Sequence, residues 1–319
     1  MRKAALLYNP ASGGNHSKRQ AELESALRVL QSAGVDAELV STSSRDDVAE
    51  KTQKAMAQGC DTIFACGGDG TIHDIVQVLA NSQVALGVLP MGTANTLAHD
   101  LRVPMHPLAA AKAALQSSAR RIALGHVRYV DLQGKPEACY FVVAAGVGVD
   151  AHLFHELRSS AKQRLGMGAY YMKAWHLWFS HIMIRFLIDF GDSAGRPRQA
   201  NVTELLAVRI RHFGGVLQEL APGASLDRND LRLVFAHTAS RLSYLLYVIR
   251  VLLHQPWTIP GIELAYTTSV SCRYLPPAPS TGKSEIQSPV YIEADGELLG
   301  TIPAEITIVP DALTILAPN

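Results

Sequence analysis

The sequence predicts an α/β domain with a parallel sheet followed by a second, mainly antiparallel β domain, and three observations carry that prediction. The first third of the chain alternates short apolar β-type runs with segments of helical periodicity. Beyond about residue 122 the dominant period becomes two, and turn clusters such as 191–195 and 276–282 separate the runs. The chain has 319 residues, of which 48% are hydrophobic and 18% charged. That is ample length for two cores, and it excludes a disordered chain or a small stapled scaffold.

Taken in order, Ala4–Tyr8 reads as the first strand. Leu23, Ala26, Leu27 and Leu30 then mark the i, i+3, i+4, i+7 face of a helix ending near Gly34. Ala37–Val40 is the second strand, and a helix from about Asp46 carries Val48, Ala49, Thr52, Ala55 and Met56 on one side up to Gln58-Gly59. Thr62–Cys66 is the third strand, Ile72, Ile75, Val76 and Leu79 give the next helix, and Val84–Leu89 the fourth strand. Thr93–Leu101 reads as a short helix closed by Val103-Pro104. This β-α-β-α rhythm implies a parallel sheet covered on both faces. In the second part, Ile184, Phe186, Ile188 and Phe190 alternate with Met183, Arg185, Leu187 and Asp189. Leu205–Ile210, Leu231–Phe235, Ala265–Cys272, Val290–Ala294 and Ile306–Val309 are further strands, with helices near Leu165–Ser180 and Arg241–His254. The expected domains are 1–122 and 123–304, and the segment 305–319 can return to the first.

Lys+Arg 29 against Asp+Glu 28 leaves a net charge of +1, which argues against a nucleic-acid partner held by a strong global field. Cys60, Cys66, Cys139 and Cys272 lack C-x-x-C spacing and read as buried, reduced thiols. The apolar stretch Ala4–Tyr8 stops at Asn9-Pro10, short of the roughly 7–15 residues of a signal-peptide core. The longest run free of Lys, Arg, Asp and Glu, Ile75–His99, is broken by Asn81-Ser82-Gln83, Gly87 and Pro90, so it is no membrane-spanning helix. A cytoplasmic protein is expected, peripheral to the inner membrane face at most.

Three loops follow expected strand ends. Gly67-Gly68-Asp69-Gly70-Thr71 lies between strand three and a helix, where free N–H groups and the helix dipole favour an anion and glycine lets backbone approach a phosphate. Asn9-Pro10-Ala11-Ser12-Gly13-Gly14 follows strand one, and Leu89-Pro90-Met91-Gly92-Thr93-Ala94-Asn95 follows strand four. In an open α/β sheet, ligands bind beyond the strand carboxyl ends, so the three loops can converge on one nucleotide. Ala145–Ala151 also fits G-x-G-x-x-A, but no acid stands about 20 residues on to hold a ribose.

Asn9-Pro10-x-Ser12-Gly13, Gly67-Gly68-Asp69-Gly70-Thr71, Pro90-x-Gly92-Thr93-x-Asn95 and Asp295-Gly296-Glu297, in this order, resemble the diacylglycerol kinase catalytic-domain family of bacterial lipid kinases and sphingosine kinases, related to NAD kinases. The resemblance implies that Asn9, Ser12 and Gly13 line a nucleotide site, that Thr42 approaches the adenine side, and that Gly67, Gly68, Asp69, Gly70 and Thr71 hold the phosphates. Asp69 would act through Mg²⁺ bound with ATP, and Gly92, Thr93 and Asn95 would complete the cleft. Asp74 stands where the family usually has Glu, and Thr96 where it often has Asp. Asp295-Gly296-Glu297 alone is an ordinary Asp-Gly β-turn; the resemblance makes it the source of the general base, assigned to Asp295 with Glu297 as support or alternative. It places Gly148–Ala151 at a domain junction near the acceptor, and a structural Mg²⁺ at Asp227 and Asp230, weakened there by Arg228 between them. Isolated histidines such as His152, His155, His176 and His181 read as solvated or core-edge.

Two aromatic-rich stretches remain. Tyr170–Phe179 holds Tyr170, Tyr171, Trp175, Trp178 and Phe179 with Lys173, and Arg241–Leu253 combines Tyr244, Leu245, Tyr247, Val248, Val251 and Leu252 with Arg241 and Arg250. Each is either a core-packing helix or an interfacial surface meeting anionic lipid. The expectation is an ATP- and Mg-dependent lipid kinase acting on a membrane-lipid hydroxyl, diacylglycerol first. An NAD kinase and a catalytically weak nucleotide- or lipid-binding regulator are the alternatives. No nucleic-acid partner is expected, and a homodimer is compatible with the sequence.

Overall fold

The computed structural model describes residues 1–11, 16–149, 151, 183–192, 194–214, 219–276 and 288–318. The first part runs β1 (Lys3–Tyr8), α1 (His16–Ser32), β2 (Asp36–Ser41), α2 (Arg45–Ala57), β3 (Thr62–Gly67), α3 (Asp69–Leu79), β4 (Ala85–Pro90) and α4 (Thr96–Asp100). Every residue of β3 and β4 is buried, as parallel strands covered on both faces must be. Ser44 caps α2 by accepting the Asp47 N–H at 3.2 Å, with Asp46 and Asp47 in the first turn where the helix dipole favours acids. The helix expected from Thr93 starts only at Thr96, because Asn95 takes a left-handed conformation at φ 49°.

α5 (Pro107–Gln116) was not anticipated. Its run Ala109-Ala110-Ala111 and Ala113-Ala114 has too little contrast to print a 3.6-residue period, although Pro107 stands at the helix start where proline is favoured.

The second part runs β5 (Ser118–Asp131), β6 (Pro136–Phe141), β7 (Ala144–Gly148), β8 (Phe186–Gly191), β9 (Pro197–Val202), β10 (Glu204–Val208), β11 (Leu231–Ala236), α6 (Arg241–Leu252), β12 (Ile262–Thr267), β13 (Ser269–Tyr274), β14 (Tyr291–Ala294) and β15 (Glu297–Ala317). Ala265–Cys272, read as one strand, is two. The Thr267 hydroxyl accepts the Ser269 N–H and donates to the Ser269 carbonyl, turning the chain so that β12 pairs with β11 and β13 with β8 and β15. The helix expected near Leu165–Ser180 lies outside the described residues.

The fold class is as expected: parallel β4-β3-β1-β2 on one side and antiparallel β7, β10, β11 and β12 on the other. The two halves nevertheless share one hydrogen-bonded sheet. β15 pairs in parallel with β4 through Thr314↔Ala85 and Ile315↔Leu86, and antiparallel with β5, β13 and β14. Two cores result: one packs α1 to α5 on the parallel strands and reaches Val142–Ala144, Tyr247 and Val251, while the other lies among the antiparallel strands around Phe141, Phe186 and Phe235. The four cysteines are buried and free, and burial pushes the Cys139 thiol up to about 12.

Candidate active site

The site is built where β3 and β4 end side by side, with Gly67 in register with Pro90. The loops that follow touch through their backbones. A Cβ on Gly68 would lie 3.1 Å from Gly92 Cα, and a Cβ on Gly92 would collide with Gly68 Cα and lie 2.8 Å from Asn95 Oδ1. Only glycine at both positions allows that approach. Asn95 closes the second loop on itself, accepting the Gly92 N–H at 2.8 Å and donating to the Gly92 carbonyl at 3.0 Å.

Asp69 opens α3 and joins the loops, because its Oδ1 accepts the Thr96 N–H at 2.7 Å and so caps α4. Burial raises its pKa above the ordinary value; the bond from Thr96 opposes the rise and the charge of Asp295 adds to it. Thr96, where a carboxylate was expected, thus contributes its backbone N–H.

Asp295 and Gly296 form the turn between β14 and β15 with φ values of 50° and 80°, the left-handed pair that an Asp-Gly hairpin turn requires. The Asp295 side chain is only 2% exposed. Its Oδ1 accepts the N–H groups of Val143 (2.8 Å) and Ala144 (3.2 Å), its Oδ2 accepts that of Val142 (3.0 Å), and His73 Nδ1 lies 3.4 Å from Oδ2. Asp295 therefore clamps the turn to the start of β7. Glu297 is half-buried at the first position of β15. A Cβ on Gly70 would lie 3.5 Å from its Oε1, so Glu297 faces the start of α3, where the glycine loop after β3 leads.

The other expected site residues divide. Asn9 Oδ1 accepts the Ala11 N–H at 2.8 Å, turning the chain after β1; Ser12 and Gly13 lie outside the described residues. Thr42, expected towards an adenine, is 2% exposed and donates its hydroxyl to the Tyr8 carbonyl, so it ties β2 to β1 instead of facing a ligand. Gly67 packs its α-carbon against the Thr71 side chain. Thr93 is exposed. Asp74 accepts from Arg45 Nε at 2.7 Å. Burial of Arg45 is outweighed by Asp74 and Glu297, and its pKa lies above the ordinary value.

The weak metal candidates Asp227 and Asp230 do not converge. Asp227 pairs with Arg120 and Asp230 with Arg228. The fully buried Arg209 fills the loop, donating to the carbonyls of Arg228 (2.8 Å), Asp230 (2.6 Å), Ala123 (3.1 Å) and Leu226 (3.4 Å). A guanidinium thus takes the carbonyl oxygens a cation would want. Among the described residues no group of three or more His, Cys, Asp or Glu is placed to hold a metal ion. At the expected junction, a Cβ on Gly148 (φ 114°) would meet the Thr203 carbonyl at 2.6 Å, and the Val149 N–H donates to Glu204 Oε2 at 2.6 Å; Asp150 lies outside the described residues.

His73, Arg45, Arg209 and the backbone of 142–144 were missed. His73 sits one turn into the helix that the glycine motif opens, beside Ile72 on the buried side, and that position was the available signal. The 142–144 backbone left none, since N–H groups are common to all residues.

Residues 3–127 match the diacylglycerol kinase catalytic domain. Three of the four motifs lie within that stretch and Asp295-Gly296-Glu297 beyond it, and the match supports a lipid kinase as the class of enzyme. The whole chain is similar to diacylglycerol kinases of Bacillus subtilis strain 168, at 26% identity over 97% of that protein, and of a Staphylococcus aureus strain, at 26% over 93%. A crystal structure of a diacylglycerol kinase from Bacillus anthracis strain Sterne superposes with a TM-score of 0.67 at 15% identity, covering 99% of this chain and 96% of that one. Yeast NADH kinase superposes at 0.50 with 9% identity, covering 100% of this chain and 84% of that one. Both structural likenesses concern the fold.

Proposed function

We propose that this chain is an ATP- and magnesium-dependent kinase that phosphorylates the hydroxyl of a membrane lipid, with diacylglycerol as the favoured acceptor. The observation that carries this reading is the contact of the Gly68 and Gly92 backbones beside two carboxylates, Asp69 and Glu297, at the ends of adjacent parallel strands. The curated relatives named diacylglycerol kinase support the choice of acceptor.

The residues fit a bound nucleotide, because the two loops meet where β3 and β4 end and α3 begins, with no side chain at Gly67, Gly68, Gly70 or Gly92 to keep a phosphate from the backbone. They also fit a magnesium ion that arrives with the phosphates, which ordinarily takes one or two protein carboxylates and no full cage. Asp69, whose Oδ1 accepts the Thr96 N–H at the meeting point of the loops, would hold it. When bound, the ion supplies neutralisation of phosphate charge. The first N–H groups of α3 orient the phosphate chain. Glu297 takes the proton of the acceptor hydroxyl as its oxygen bonds to the γ-phosphorus, the bond to the β,γ-bridging oxygen breaks, and ADP leaves. In this reading the base is Glu297 and no longer Asp295, whose two oxygens already accept three backbone N–H groups; Asp295 and His73 position the turn. Contact with anionic lipid on the cytoplasmic leaflet, with no nucleic acid involved, completes the proposal.

The test is transfer of radiolabel from [γ-³²P]ATP to diacylglycerol, sphingosine, phosphatidylglycerol and NAD offered separately in mixed micelles. Diacylglycerol should take the label best. Labelling of NAD would overturn the acceptor class, and labelling of none would overturn the kinase.

A further inference from the structure

α6 is apolar on the side away from the protein as well as on the side against it. Tyr247 and Val251 face the core, Tyr247 donates to the Leu220 carbonyl at 2.7 Å, and Tyr244 bonds Thr203 at 2.8 Å. Opposite them stand Leu242, 63% exposed, Leu246, Val248 and Leu252, followed by Leu253 and Trp257, 49% exposed. Six of the ten exposed large hydrophobic side chains among the described residues fall in this one stretch. At 3.6 residues per turn Leu242, Leu246 and Leu253 lie within about 40° of one another, so they form a stripe.

A helix apolar all round is ordinarily buried in protein or in lipid. At 12 residues α6 is about 18 Å long against roughly 30 Å of hydrocarbon, and no helix among the described residues is long and apolar enough to cross a membrane. The charge along the stretch that carries it has one sign. From residue 231 to 262 there is no Asp or Glu, while Arg232, Arg241, Arg250, His237 and His254 are present. Arg250 itself is buried, 5.3 Å over the Tyr247 ring, and does not reach outward as the sequence suggested. The acids that flank it are paired: Asp230 with Arg228, Glu263 with Arg198 and Glu219 with Arg211. A second copy is a poor occupant, since six side chains remove roughly 400–500 Å² per copy where a stable interface takes about 800 Å². A bilayer demands no matching shape, accepts a stripe of leucines lying in its plane, and seats Trp at headgroup level.

We propose that the outer face of α6 together with residues 253–257 is the surface by which this chain lies on an anionic bilayer, the helix in the membrane plane. This deepens the lipid-kinase reading and rests on it for the choice of a bilayer. The test uses the full chain with vesicles of phosphatidylcholine and phosphatidylglycerol, in sedimentation. Leu242→Ser/Leu246→Ser should weaken binding by about 10-fold or more, and Leu132→Ser, at another exposed hydrophobic position, should not. The α6 variant should still phosphorylate a short-chain, water-soluble diacylglycerol at the wild-type rate. Unchanged vesicle binding by the α6 variant, or no binding by wild type, overturns the proposal. So does a lipid-free wild-type dimer that the α6 variant splits, since a second copy then covers the face. If wild type binds vesicles through α6 yet phosphorylates no diacylglycerol, the surface stands and the kinase reading falls.

Discussion

Asp295→Asn and Glu297→Gln should separate the clamp from the base. Asparagine is nearly isosteric with aspartate and tolerates the left-handed conformation at φ 50°, so the first substitution changes the carboxylate and little else. With the amide oxygen at Oδ1, the bonds from Val143 and Ala144 survive, but the amide nitrogen then meets the Val142 N–H, donor against donor. Loss of one charge-assisted bond and stranding of one buried N–H, offset in part by the easier burial of a neutral group, cost about 2–4 kcal/mol. Glu297 is half-buried and its charge also acts on Arg45, so its neutral isostere should cost about 1 kcal/mol or less. Its kcat should fall on the order of 10²–10⁴-fold, the usual contribution of a positioned base. Urea unfolding followed by circular dichroism, beside initial rates at saturating ATP, reads both quantities. An Asp295→Asn protein of wild-type stability and no activity, with Glu297→Gln active, would refute the reasoning and return the base to Asp295.

Three further outcomes follow from the same geometry. Gly92→Ala must separate the two loops by roughly 1 Å, a displacement that costs on the order of 10²-fold in catalysis; kcat/KM for ATP within 3-fold or so of wild type would contradict it. Asp69→Asn keeps the oxygen that caps α4, so the fold should persist while calorimetry finds Mg-dependent ATP binding lost. The raised pKa of Asp69 means the folded state holds the proton more tightly, so this group's contribution to stability falls as pH rises from its unfolded value near 3.8 to the raised one, and Asp69→Asn should flatten that acid limb. Arg209→Met strands the carbonyls of the 226–230 loop and should destabilise by about 3–5 kcal/mol, whereas EDTA should leave the wild-type unfolding midpoint where it is; a midpoint lowered by EDTA would place a structural cation in this protein.

The elements of the parallel half were legible because each is local: an apolar run of β type, a 3.6-residue stripe, a glycine that ends a helix. The glycine loops were legible for the same reason, since backbone access to an anion is written in the absence of side chains at Gly67, Gly68, Gly70 and Gly92. Weakly patterned segments such as Ala109–Ala114 and Pro197–Val202 were not, because alanine and mixed polar residues carry no period. The return of 305–319 to the first part was open to the sequence, but the residue-by-residue long-range partners were not. That β15 would stitch β4 to β14, that Asp295 would spend its carboxylate on residues 142–144 more than 150 positions away while Glu297 turned to Gly70, and that Arg209 would fill a loop between two acids depend on which backbone groups lack a partner once the sheet has closed. A sequence names a carboxylate or a guanidinium and its charge; which backbone groups it meets is decided only when the chain has packed and buried polar groups have been brought to their partners.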